Sequence, residues 1–349
     1  MDSIEELPPL SQRVPEVSLP ELPRDLGLAW RPLTREDARQ LADLIAIIEE
    51  TDASPFRTSY EETVELFEGD WKNFDTDTIV AVNAKGEFLA YGLLHIYPGD
   101  DTLTRVFLDG GVHPTAREVG IGQSLVDWLT ARGQQMLRET GTRLPARIAA
   151  YVQDNAPHNW TLFEKAGYEA RRFYKTLRRD LSKPIEPISI GSHLKVVGYD
   201  RALDEAVRLA HNDAFRDHWG SQPRTPEAWV QGRSMFKPEW SFIVLDETAQ
   251  TVEGHPMVAG YIHVGKYEHD WEVAGYSSGY IELLGVRRDY RGQKIALALI
   301  TEAMRLLHEN GIEYAELDVD SENPSGAFGI YTNLGFEVTT GSRMFSLEF

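Results

Sequence analysis

The chain has 349 residues, a formal charge of -20 at pH 7, 42% hydrophobic residues and no cysteine. The length predicts two domains rather than one core. The acidic balance argues against nucleic-acid or anionic-membrane partners, and the missing cysteine removes disulfides, zinc–thiolate sites and a thiol nucleophile together.

No apolar run approaches the roughly 20 residues of a membrane span. The acidic, proline-rich start also lacks the basic flank and apolar stretch of a signal peptide, so a cytoplasmic location is expected. Residues 1–27 read as an arm, either mobile or an extended packing strap. A first domain is expected over 28–182. Within it, residues 35–51 have helical apolar spacing, and 78–83 and 88–96 read as strands around the turn Asn83-Ala84-Lys85-Gly86. Residues 121–139 form an amphipathic helix with Leu125, Leu129 and Met136 on one stripe. A strand follows at 146–152, then a helix at 157–166 that ends at Gly167.

The polar stretch Leu181-Ser182-Lys183-Pro184-Ile185-Glu186-Pro187 reads as a linker. A second domain, 188–349, repeats the order: strand 194–197, helix 201–215, strands 241–246, 257–265 and 279–286, helix 292–310, strand 313–319, and helix 325–333 before Gly335. The repeat has two constant offsets. Val286 and Arg291 lie 174 residues after Val112 and Arg117, whereas Asn323, Tyr331 and Gly335 lie 168 after Asn155, Phe163 and Gly167.

In the first half a strand ends at Val112, a short loop carries Arg117, Gly120, Ile121 and Gly122, and a helix begins. Amides at a helix start lack partners and the helix dipole adds positive charge there, which suits a pyrophosphate. The bland alternative is a tight turn with no ligand. A dinucleotide fold would need G-x-G-x-x-G near a domain start, and neither turn has that spacing.

These residues resemble the GNAT superfamily of acetyl-CoA-dependent N-acetyltransferases, whose pyrophosphate loop reads Q/R-x-x-G-x-G/A. Arg117-Glu118-Val119-Gly120-Ile121-Gly122 matches at every defined position. Arg291-Gly292-Gln293-Lys294-Ile295-Ala296 matches at the first and last, with Lys294 in place of the middle glycine. Lys294 can add a cation near the phosphates, provided that its backbone needs no positive φ. Asn323, then Tyr331, then Gly335-Phe336 form a second family feature. The tandem layout resembles that of the mycothiol synthases. The resemblance implies an α/β (α+β mixed-sheet) fold: two tandem GNAT-like domains, each a twisted mixed sheet flanked by helices, forming a monomeric pseudo-dimer. It implies acetyl-CoA as co-substrate, with Tyr331 protonating the departing thiolate and Asn323 near the pantetheine arm. Leu284 and Val286 would pair with that arm. In the first copy Val112, Arg117, Gly120, Ile121, Gly122 and Asn155 occupy the matching positions, but Phe163 replaces the tyrosine and cannot donate a proton. That copy reads as a cofactor-binding or structural half, and the C-terminal copy as the catalytic one.

Strand alternation puts Tyr280, Glu282, Leu284 and Val286 on one face. Glu282 is the candidate general base, direct or through water; its alternative is a solvated or ion-paired strand residue. An amide near Leu284 could polarise the acetyl carbonyl. Asp217, His218 and Trp219, in the segment after the first helix of this copy, are candidate contacts for a cationic amine on a small molecule or peptide. No metal site is expected, because no helical His pair or compact His/carboxylate cluster occurs in the sequence. The rival to an enzyme is an acyl-CoA-binding sensor or a structural protein without turnover.

Overall fold

The computed structural model describes residues 7–24, 26–251, 254, 256–322 and 327–349. The chain divides into two units. Unit 1 comprises Met1–Phe173 with Ser342–Phe349, and unit 2 comprises Tyr174–Gly341.

Unit 1 opens with a short helix, α1 (Leu10–Arg13), whose Leu10 is buried together with Val14. Leu10 N–H donates to Thr142 O at 2.8 Å, and Arg138 holds Val14 O at 2.6 Å. The described part of the N-terminal segment is therefore a packing strap. There follow β1 (Ala29–Arg31), α2 (Ala38–Thr51), α3 (Tyr60–Glu65) and α4 (Phe74–Asp77). Then come β2 (Thr78–Val82), β3 (Phe88–His95), β4 (Thr104–Val112), α5 (Ile121–Thr140), β5 (Ala146–Gln153) and α6 (Pro157–Lys165). The stripe expected from the sequence is buried: Leu125, Leu129 and Met136 of α5 pack with Val106, Ile148 and Phe345. On the opposite face α2 buries Leu41, Leu44 and Ile45 against Val80 and Leu93.

The strand β6 (Glu169–Asp180) crosses the boundary between the units. Unit 2 continues with β7 (Leu194–Gly198), α7 (Asp204–Ala214), α8 (Pro226–Val230), β8 (Phe242–Gln250), β9 (Pro256–Gly265) and α9 (Glu268–Ala274). It ends with β10 (Ser278–Val286), α10 (Ile295–Glu309), β11 (Tyr314–Asp320), α11 (Ala327–Asn333) and β12 (Glu337–Glu348), the last again crossing the boundary. Leu299, Ile300, Ala303 and Leu307 of α10 are fully buried against β9, β10 and β11. The other face of the unit 2 sheet carries Val207 and Ala210 of α7 with Trp229 of α8.

The strand order is β1-β2-β3-β4-β5-β12 in unit 1 and β6-β11-β10-β9-β8-β7 in unit 2. Neighbours are antiparallel except for one parallel pair in each unit, β4/β5 and β10/β11. The division departs from the expected split between residues 182 and 188. The cause is strand pairing: Tyr174–Asp180 of β6 pairs with β11 of unit 2, and Ser342–Glu348 of β12 returns to pair with β5 of unit 1. Among the described residues no helix is long and apolar enough to cross a membrane.

Candidate active site

In unit 2 the parallel pair is short. Ser278–Ile281 of β10 face Tyr314–Leu317 of β11, and the pairing stops there. On its other edge β10 stays paired with β9 as far as Val286. A gap therefore opens between β10 and β11 beyond Ile281, and an extended chain entering it can make strand-type hydrogen bonds to the β10 backbone.

A β-bulge lies at the mouth of this gap. The β9/β10 register shifts between Ile281 and Leu283, which makes Glu282 the extra residue. The bulge corrects the expectation that Tyr280, Glu282, Leu284 and Val286 share a face. Leu284 and Val286 pack with Ile281 on the core beneath α10, while Leu283 packs on the core beneath α7. Tyr280 and Glu282 both meet Tyr267, Tyr280 by an edge-on ring contact at 5.7 Å and Glu282 by accepting a hydrogen bond from the tyrosine hydroxyl at 2.9 Å. One inserted residue reverses the alternation for everything after it, so the four residues divide two and two.

Past the gap, β10 runs through a 3-10 turn, Arg288–Tyr290, into α10. Lys294 occupies the N-cap position at φ 63, ψ 13, and makes no side-chain cap bond. The proviso on Lys294 thus fails, since its backbone is left-handed. Glu118 (φ 65) and Gly120 (φ 92) in unit 1 match Gly292 (φ 78) and Lys294 (φ 63) in unit 2. The two loops take the left-handed conformation at the same two places, with the glycine at opposite ones. Ile121 and Ile295 are core side chains, 2% and 1% exposed, so only their backbones are available to a ligand.

The unit 2 loop carries Arg287, Arg288, Arg291 and Lys294 against one acid, Asp289. Its arginines are tied to neighbouring elements. Arg287 donates to Val258 O at 2.8 Å and Arg291 to Ala214 O at 2.8 Å. Asp217 pairs with Arg288 and, at 3.6 Å, with Arg291. Asp217 thus has the loop's cations as its partners in this structure. His218 meets the Phe215 ring at a tilt, with ring centres 5.5 Å apart, and Trp219 is half-buried.

Tyr331 lies on α11, 9% exposed and edge-on to Phe336 at 5.9 Å. Burial pushes its phenol up to about 12. Its hydroxyl makes no hydrogen bond to a described residue. Asn323 lies outside the described residues.

Unit 1 has the same gap without the rest. β4 and β5 pair over Thr104–Phe107 and Ala146–Ala149, and then part. The β3/β4 ladder is regular from Val112 to Phe107, with no bulge. Arg117 grips Asp52 through two bonds of 2.5 and 3.0 Å and reaches Val112 O at 3.1 Å. Asn155 donates to Ala53 O at 2.8 Å. These two predicted cofactor residues thus brace the end of α2. A Cβ on Gly122 would come within 3.3 Å of Leu162, so that glycine allows close helix packing. Phe163 is buried and stacks on Phe345 at 5.7 Å.

Residues 205–336, all within unit 2, match the family model described as acetyltransferase (GNAT) family. Mycothiol acetyltransferase from Acidothermus cellulolyticus is 26% identical over 234 residues, 64% of this chain and 66% of the relative, so the chain spans just under two thirds of that protein. The Streptomyces coelicolor mycothiol acetyltransferase is 28% identical over 279 residues, 75% of this chain and 77% of the relative. Among solved structures, a GCN5-related N-acetyltransferase from Sphaerobacter thermophilus superposes with a TM-score of 0.67 at 24% identity, over 94% of this chain and 97% of the other. A tandem GNAT protein from the clavulanic acid biosynthesis pathway gives 0.65 at 19% identity, over 92% and 98%.

Proposed function

Since residues 205–336 form a GNAT-family acetyltransferase domain in a chain of tandem GNAT fold, we propose that unit 2 moves an acetyl group from acetyl-CoA to a primary amine of a small molecule. The observation that carries this reading is a conjunction found in unit 2 and not in unit 1. A strand gap is bulged at a carboxylate, Glu282, and a buried tyrosine, Tyr331, stands at the position of Phe163. The small-molecule acceptor is supported by the relatives named mycothiol acetyltransferase.

The residues suit the co-substrate. Leu284 and Val286 lie on the stretch of β10 that no longer pairs with β11, where a pantetheine arm can make strand-type bonds, and the start of α10 with Lys294 offers amides and a cation to a pyrophosphate. Acetyl-CoA supplies the thioester. The attacking amine gives its proton to the Glu282 carboxylate as the C–N bond forms. An amide near Leu284 polarises the carbonyl oxygen. Tyr331 gives its proton to the sulfur as the C–S bond breaks, and its phenol, raised to about 12, holds that proton across the neutral range until it is needed.

Unit 1 is read as a supporting half. Its loop offers the carboxylate of Glu118 where unit 2 has Gly292, and its Arg117 is engaged by Asp52. Calorimetric titration with acetyl-CoA, followed by an amine panel with the wild type and Tyr331→Phe, tests both halves of the reading. One site per chain is expected. The variant should bind normally and lose about 10²-fold or more in kcat, the usual size of an acid–base contribution. Two equal sites would refute the division between units, and binding without acetylation of any amine would favour an acyl-CoA sensor.

A further inference from the structure

We propose that Tyr267 and Gly265 hold the Glu282 carboxylate in place at the bulge of β10, making Tyr267 a positioning residue for the acetyl-transfer site. The inference rests on the reading of Glu282 as general base.

Glu282 is the inserted residue of the bulge, so the regular ladder does not set the direction of its side chain. Two contacts with described residues bear on it. Tyr267, immediately before α9, donates its hydroxyl to Glu282 Oε1 at 2.9 Å. Gly265, at the end of β9 and opposite Tyr280 in the register, leaves the space that the carboxylate fills. A Cβ there would collide with Glu282 Oε1 and lie 2.7 Å from Cε2 of the Tyr267 ring. Gly265 has no positive φ, so space and not conformation calls for a glycine at this point. The Tyr267 ring is fixed in turn by its edge-on contact with Tyr280, whose hydroxyl bonds Asp318.

The chemical consequence follows from which form of the acid is bonded. A hydroxyl that donates to a carboxylate stabilises the charged form and lowers the pH at which the base is lost. Tyr280 on β10, whose ring packs on Tyr267, lies in turn beside Asp318 and Glu316 of β11, the charged groups next to this cluster among the described residues.

The test uses the full chain and compares Tyr267→Phe, Gly265→Ala and Glu282→Gln in steady-state acetylation of the best amine of the panel across pH. The amine's own titration is common to all variants, so differences between them report the enzyme. Tyr267→Phe is expected to lose about tenfold in kcat, with the acetyl-CoA KM unchanged, and to move the acidic limb up by about one pH unit, the worth of one hydrogen bond to a charged group. Gly265→Ala should shift the limb the same way. If it fails to fold, Tyr267→Phe decides alone. A wild-type limb and kcat in Tyr267→Phe beside an inactive Glu282→Gln would overturn the positioning role and leave the base reading standing. Full turnover by Glu282→Gln would overturn both.

Discussion

Lys294→Gly separates two effects that act on one residue with opposite sign. The lysine sits at φ 63, ψ 13, where a side chain costs about 1–2 kcal/mol relative to glycine. Glycine also loosens the unfolded chain, which returns about 0.4–1 kcal/mol. The net expectation is a gain of about 1 kcal/mol, read as a rise of about 2–4 °C in the Tm of a unit of this size. The side chain is exposed, so its attraction to a phosphate is that of a surface pair, about 0.2–1 kcal/mol. Its loss should weaken acetyl-CoA binding by about 1.5- to 5-fold at low salt and by less at high salt. Scanning calorimetry and titration calorimetry at two salt concentrations read the two effects. Glu118→Gly is the control: φ 65 in unit 1 predicts the same stabilisation with no change in acetyl-CoA affinity. A fall in Tm for Lys294→Gly, or an unchanged Kd at low salt, would refute the reasoning.

Two further outcomes follow from buried groups. Burial lowers His211 from 6.5 to about 3, and its Nδ1 meets the Tyr261 hydroxyl at 2.6 Å. A folded-state value below the unfolded one gives stability that is full above pH 6.5 and lost as pH falls toward 3. The slope is about 1.4 kcal/mol per pH unit, or about 2 kcal/mol by pH 5; urea unfolding should show it, and His211→Gln should flatten it. Phe345 is 1% exposed and stacks on Phe163, so Phe345→Ala should cost unit 1 about 3–5 kcal/mol in the same assay, although the residue lies four positions from the chain end.

Period and punctuation made most of the elements legible. Helices α2, α5, α7 and α10 carry apolar stripes, and the linker prolines mark a real interruption. The strands β6 and β12 escaped notice. β6, with five Arg and Lys among its twelve residues, reads as a polar run, and nothing local tells β12 that its partner is β5, some 190 residues earlier. That long-range pairing is also why the unit boundary fell elsewhere than the linker. Tyr331 stands out in the sequence through the GNAT resemblance, at its spacing before Gly335-Phe336. The partner of Glu282 does not, because Tyr267 meets it only after β9 and β10 pair and the bulge turns the glutamate toward it. The local hint was Gly265, an isolated glycine inside a strand pattern, which often marks a bulge or a close approach.

The comparison of the two loops changes what the motif means. Counted by glycines, Arg117–Gly122 is the better match. Both loops nevertheless adopt the same two left-handed positions, so the turn tolerates a side chain at either one, at a cost of about 1–2 kcal/mol. Glycine there relieves strain but does not by itself attract an anion. What differs is charge. One loop pairs its left-handed glycine with an exposed Lys294 in a run with three arginines, two of which share the single carboxylate of Asp217, whereas the other presents an exposed Glu118 beside a single arginine held by Asp52. Helix-start amides and dipole are common to both, so the sign of the side chain at the left-handed residue that is not glycine decides which loop favours a phosphate. The copy with the more complete glycine pattern is electrostatically the poorer anion site.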